Sequence, residues 1–253
     1  MERAGEGSPV VLLHEGIGDS RMWEPQWAAY AERFHVVRFD MRGFGQSPPA
    51  VGSFSLSGDL VELLDSLELG PAALIGMSLG GSVAMETTIA RPDLVSRLVL
   101  VGSGLRGFEM NDETKTGWEE EEAALERGDD DEAVEINMRM WVDGPSRTPD
   151  QVDPEMRRKI AEMQRRAIEI WREAGEEGNH DPLVEDWGDR LGEISVPTLV
   201  LVGELDRPEM REIAERLEAE IPNSRRETIS GTAHVPNMER PEEFDRLVLE
   251  FLE

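Results

Sequence analysis

The chain has 253 residues, which suits one α/β domain carrying an insertion better than two independent domains. Its formal net charge of −28 at pH 7 excludes ordinary nucleic-acid binding, which needs clustered Lys and Arg, and disfavours strongly anionic small molecules at long range. With no cysteine, it can form no disulfide, thiol nucleophile or thiolate metal site. Met1–Ser8 is polar, so no leader is expected, and no stretch approaches the ~20 apolar residues of a membrane span. The expectation is a soluble, cytoplasmic protein with neither membrane nor nucleic acid as partner.

In chain order, Pro9–Leu13 reads as an apolar strand ending in His14-Glu15-Gly16-Ile17-Gly18-Asp19. Met22–Phe34 has helical spacing. Val36–Phe39 is a second strand, closed by a glycine-rich turn through Asp40–Ser47, and Ser57–Leu69 reads as a helix. Next comes Ala73–Gly81, Ala-Leu-Ile-Gly-Met-Ser-Leu-Gly-Gly, with a plausible helix at Ser82–Ile89 and a strand at Leu98–Gly102. Alternating strands and helices imply a mostly parallel sheet covered on both faces.

The pattern changes at Phe108. To Ile194 the chain is acidic and reads as helical, at Ala123–Leu125, Ala133–Trp141 and a longer piece opened by Asp153-Pro154, a cap residue followed by proline at the first helical position. Trp118, Trp141, Trp171 and Trp187 all fall there. They fill the insert's own core, line an apolar pocket beneath it, or do both. The sheet resumes at Val196–Gly203, followed by a helix at Glu209–Ile221, a last strand at Ser224–Ile229 and a closing helix at Pro241–Leu252. The expected division is a core of residues 1–107 and 195–253, with a helical cap at 108–194.

Gly76-Met77-Ser78-Leu79-Gly80 is the stretch that carries chemistry. It fits the G-x-S-x-G elbow, where a serine sits on a sharp strand-to-helix turn and the following helix start aims backbone N–H groups at a forming oxyanion. A serine nucleophile needs a base, and the base an orienting acid. Ser78, Asp206 and His234 come in the order expected when each follows its own parallel strand. Glu204, two residues before Asp206, is the competing carboxylate.

These motifs resemble the α/β-hydrolase superfamily, in its serine esterase/lactonase-like branch with a helical cap. The matching stretches are His14–Trp23, Phe39–Ser47, Gly76–Gly81, Gly203–Asp206 and Gly231–His234. The resemblance implies Ser78 as nucleophile, His234 as general base and Asp206 as its acid. It also implies an oxyanion hole from the N–H of Leu79 and that of Gly16 or Ile17, with no metal and no cofactor. Met77, Met138, Trp141 and Trp171 are the expected pocket residues. The expected activity is hydrolysis of a small carboxylic ester or lactone through an acyl-enzyme. Alternatives are a C–C bond hydrolase or a cofactor-free perhydrolase/haloperoxidase of the same fold, and a non-catalytic small-molecule sensor that keeps the triad. Alkylation of a carboxylate, as in dehalogenases, is disfavoured because the elbow carries Ser78.

Two departures from the family stand out. Glu15 occupies the place of the usual glycine, and is expected to point away from the oxyanion or to be paired. Only eight residues precede Pro9, so the N-terminal hairpin is expected to be missing. That leaves about six strands, and an open Val36–Phe39 edge would pair with a second copy in a homodimer.

Overall fold

The computed structural model describes residues 1–175 and 178–253; Glu176 and Glu177, inside the expected insert, lie outside the described residues. In chain order the strands are β1 (Glu2–Ala4), β2 (Pro9–Leu13), β3 (His35–Arg38), β4 (Ser53–Phe54), β5 (Ala72–Met77), β6 (Val95–Val101), β7 (Asn179–His180), β8 (Thr198–Gly203) and β9 (Ser224–Ile229). The helices are α1 (Glu24–Ala31), α2 (Leu56–Ser66), α3 (Leu79–Ala90), α4 (Asp112–Glu126), α5 (Asp130–Asn137), α6 (Pro154–Ala174), α7 (Pro208–Glu220), α8 (Pro236–Glu239) and α9 (Pro241–Leu252). Among the described residues, no helix is long and apolar enough to cross a membrane.

The main sheet has seven strands in the order β1-β3-β2-β5-β6-β8-β9, and every pairing except β1–β3 is parallel. Its central strands are buried on both sides, as a sheet covered by helices requires. Alternate residues feed two clusters. Val10, Leu12, Ile75 and Val99 pack with Tyr30, Phe244 and Val248 on one face. Val11, Leu13, Leu74 and Leu98 pack with Leu60, Val83, Met85 and Ile213 on the other.

The count of about six strands is corrected to seven. β1 runs antiparallel to β3, with Glu2 opposite Arg38 and Ala4 opposite Val36. The segment before β2 folds back because Gly5 and Gly7 take φ of 74° and 111°, and a Cβ on Gly5 would lie 2.1 Å from the Phe34 carbonyl oxygen. β3 is therefore covered, and its Arg38 is paired with Glu2 at 2.6 Å and Glu24 at 2.7 Å. The open edge on which the expected homodimer rested is not there.

Between β6 and β8 the chain leaves the sheet as a helical cap. The N-caps are legible: Asn111, Asp129 and Asp153 accept from the backbone N–H of Thr114, Glu132 and Glu155. α4 is much longer than the expected Ala123–Leu125, because Gly117 interrupts the pattern without interrupting the helix. A Cβ there would lie 2.4 Å from the Met140 Sδ, so its absence lets α4 approach the neighbouring segment. α5 runs on into a π-helical stretch, Met138–Asp143, which shifts the register of Trp141. Met138, Met156, Ile160 and Met163 join the cluster on the first face of the sheet, so the cap shares its core with the domain. A small parallel pair, β4 with β7, ties the loop after β3 to the segment after α6.

Candidate active site

Ser78 stands between β5 and α3 at φ 49° and ψ −111°, one of two non-glycine residues with positive φ among those described. So strained a turn persists only where its surroundings over-determine it, and here three glycines do so. A Cβ on Gly76 would lie 2.3 Å from the Gly80 carbonyl oxygen, one on Gly80 2.5 Å from that of Leu13, and one on Gly81 1.9 Å from the Ser103 Oγ. Leu79 opens α3, so its N–H lies at the positive end of the helix dipole.

The loop after β2 is clamped by His14. Its Nε2 accepts from the Met41 N–H at 2.9 Å, which leaves Nδ1–H to donate to the Glu15 carbonyl at 2.7 Å. Burial lowers the His14 pKa, in keeping with a neutral ring holding both bonds. Gly16 is thereby fixed beside Leu79: a Cβ on it would sit 3.9 Å from the Leu79 Cβ.

His234, buried after β9, bonds through Nδ1 to the Asp206 Oδ2 at 2.9 Å. A carboxylate only accepts, so Nδ1 carries the proton and Nε2 is left as the acceptor. Asp206 Oδ1 accepts from the Arg207 N–H at 2.8 Å. Burial works to lower the His234 pKa, but the charge and hydrogen bond of Asp206, helped by Glu15 and Glu239, raise it above the ordinary value. Glu204 is exposed and turned to the neighbouring loop, accepting from Ser230 Oγ at 2.7 Å and from the Gly231 N–H at 2.9 Å.

Glu15, Gly16, Ile17, Ser78, Trp118, Glu121, Asn137, Trp141, Gln164 and His234 enclose a cavity of about 230 Å³. Of the sequence-derived candidates, Ser78, His234, Gly16 and Ile17 line this one space; Asp206 reaches it only through His234, and Leu79 lines the neighbouring cavity. That neighbour is a largely apolar cavity of about 780 Å³, with which the small one shares Gly16, Trp118, Glu121 and Gln164. Of the four expected pocket residues, Trp141 reaches the small cavity, with its ring 4.7 Å from that of His234, and Trp171 reaches the large one. Met77 and Met138 do not line either cavity: both are fully buried in the cluster beneath the sheet and cap.

Glu15 is not paired, the second of the two expected arrangements. It is 1% exposed, lines the small cavity, and its Oε1 has no hydrogen-bond partner. Glu121, Asn137 and Gln164 were missed. Asn137 Nδ2 donates to Glu121 Oε1 at 2.6 Å, and burial raises the Glu121 pKa. Gln164 lies four residues from both Ile160 and Ile168 on the buried stripe of α6, a polar interruption visible in the sequence. Among the described residues no cluster of three or more His, Asp or Glu is arranged to hold a metal.

A family profile described as alpha/beta hydrolase fold matches residues 9–241. The chain is 29% identical over 260 residues to a 2-hydroxy-6-oxononadienedioate/2-hydroxy-6-oxononatrienedioate hydrolase of Cupriavidus pinatubonensis, covering 98% of this chain and 88% of the relative. Among solved structures it is similar to a thermophilic esterase from Thermogutta terrifontis, with a TM-score of 0.79 and 28% identity over 99% of this chain and 91% of that one. It is also similar to Est816, described as an N-acyl homoserine lactone degrading enzyme, with a TM-score of 0.76 and 25% identity over 99% and 95% of the two chains.

Proposed function

Since the chain belongs to the α/β-hydrolase fold family, we propose that it is a hydrolase in which Ser78 attacks the carbonyl of a small, uncharged, largely apolar substrate. The convergence of Ser78, the His234–Asp206 pair and the backbone of Gly16 on one cavity carries this reading. Ser78 Oγ bonds to the carbonyl carbon as its proton passes to His234 Nε2. The oxyanion is held by the N–H of Leu79 and that of Gly16 or Ile17. Collapse expels the leaving group, which takes the proton from His234, and leaves an acyl-Ser78. Water, deprotonated by His234, then releases the acid.

Two leaving groups are supported by separate observations. The Cupriavidus relative is named for a substrate with no ester or amide to hydrolyse, so its scissile bond joins two carbons. Relatedness therefore puts carbon–carbon cleavage of a ketone first. The Thermogutta esterase and Est816 support an ester or lactone, with an oxygen leaving group, as the second reading.

Charge narrows the substrate in either case. Glu121, Glu122 and Glu126 line the larger cavity, Glu121 the smaller one as well, and the Arg42 guanidinium in the larger one is engaged by both oxygens of Asp59. A dicarboxylate would enter against this field. The test is a panel of an uncharged 1,3-diketone, a short p-nitrophenyl ester and a dienedioate, with Ser78→Ala as control. Turnover of an uncharged member, reduced by about 10³-fold or more in Ser78→Ala, is expected. Preference for the dienedioate, or activity that survives in Ser78→Ala, would overturn the reading.

A further inference from the structure

Glu15 is the one carboxyl in the small cavity that no other protein group satisfies. His14 clamps its carbonyl, and Gly18 leaves room for its side chain: a Cβ on Gly18 would lie 3.2 Å from the Glu15 Cγ and 3.4 Å from its Oε1. Its backbone immediately precedes Gly16, which lies beside Leu79, and Glu15 lines the same cavity as Ser78. An ionised carboxylate in that position would oppose the oxyanion and remain without a partner, at heavy cost. A carboxylic acid there has an O–H to give.

Resting on the reading of Ser78 as nucleophile, we propose that Glu15 works as a neutral carboxylic acid, donating a hydrogen bond to the substrate oxygen that becomes negative during attack. Its proton is not transferred. The proton from Ser78 still passes through His234 to the leaving group, so Glu15 supplements the backbone donors.

The surrounding charges are consistent with this role. Burial is the main influence and pushes the Glu15 pKa up to about 7; the His234 charge works against it and the Asp206 charge with it. Across the cavity α4 presents Glu121, α5 the neutral Asn137 and α6 the neutral Gln164. On its own loop, Asp19 is closed on Arg21. The active form needs Glu15 protonated and His234 neutral. Rising pH removes the first condition as it passes the Glu15 pKa, and falling pH removes the second as it passes the raised His234 pKa. Because one proton on the pair can sit at either group, the two limbs belong to the pair.

The experiment follows the rate at which an uncharged alkyl fluorophosphonate labels Ser78 between about pH 5 and about pH 10, alongside kcat and KM for p-nitrophenyl butyrate. Labelling reports Ser78, His234 and the oxyanion donors whatever bond the natural substrate contains. The wild type should give a bell. Glu15→Gln, which keeps an N–H donor of the same length, should lose the alkaline limb, stay within about threefold of wild type at neutral pH, and shift its acid limb to lower pH. Glu15→Met should also lose the alkaline limb but label about 10–100-fold more slowly, with KM little changed, as expected for a lost oxyanion donor. A wild-type rate that rises to a plateau with no alkaline fall overturns the proposal even if neither variant folds. So does an alkaline limb that survives in Glu15→Gln, or a wild-type rate in Glu15→Met. Failure of the wild type to be labelled at Ser78 overturns the reading of Ser78, and this proposal with it.

Discussion

Asp206 and Glu204 stand two residues apart at the end of β8, yet only Asp206 faces His234. The backbone carries Glu204 outward to Ser230 and Gly231, where it ties two loops, while Asp206 turns back into the site. Asp206→Asn is expected to lower kcat by about 10⁴ with little change in KM, as loss of the acid does in the trypsin-like triad. Glu204→Gln should stay within a few-fold, because only surface loop bonds change; steady-state kinetics on the same ester ranks the two. The strained turn at Ser78 was legible from a short local pattern, and the Asp206–His234 contact from the order of the strands and the family resemblance. The sequence could not place Glu15, whose direction depends on how His14 and Gly18 meet Met41 and Met22. Met77 and Met138 were misplaced for a related reason: in a strand buried on both faces and in a π-helical turn, spacing does not say which side looks into the cavity.

The cap is fastened to the sheet by buried polar contacts that periodicity does not reveal. Arg207, following Asp206, donates through Nε to Thr114 Oγ1 at 2.7 Å, while Thr114 in turn bonds Glu209 and Asn111 Nδ2 reaches Glu209 at 2.9 Å. Thr114 is fully buried, and the Arg207 guanidinium lies 6.0 Å from the Trp141 ring. On the other side Arg147 bonds Glu239 at 2.6 Å, and Glu239 accepts from the Ala233 N–H next to His234 at 2.7 Å. Thr114→Val keeps the shape but deprives Arg207 and Glu209 of a partner. It should cost about 1–3 kcal/mol and lower the melting temperature by several degrees in a thermal melt. The helices themselves were legible from Asp153-Pro154 and the apolar stripe of α6. Their attachment was not, since Thr114 reads as an unremarkable threonine in an acidic helix.

Across the whole molecule, acidic charge and a covered sheet edge both act against association. The sheet ends at β1, three residues long and antiparallel, with the β3 Arg38 drawn onto Glu2 and over the Trp27 ring at 4.4 Å. The parallel order of the other strands could be read from their alternation with helices, but a three-residue strand offers too little pattern to be seen. A variant lacking residues 2–4 should expose the backbone of β3 and associate in a concentration-dependent way by light scattering, unlike the full chain. The repulsion expected from a net charge of −28 should make that association stronger as salt is added.

The π-helical register that lays Trp141 against His234 makes the site its own optical indicator. An indole 4.7 Å from an imidazole loses emission when that imidazole gains a proton, because the cation accepts the excited electron. Since the Asp206 partnership keeps the His234 pKa above its ordinary value, this dimming should begin at a correspondingly higher pH as acid is added. It should vanish in Trp141→Phe, although the other tryptophans continue to emit. Occupation of the cavity by any ligand that displaces the ring from His234 would then register as a change of brightness, without turnover and without an added dye.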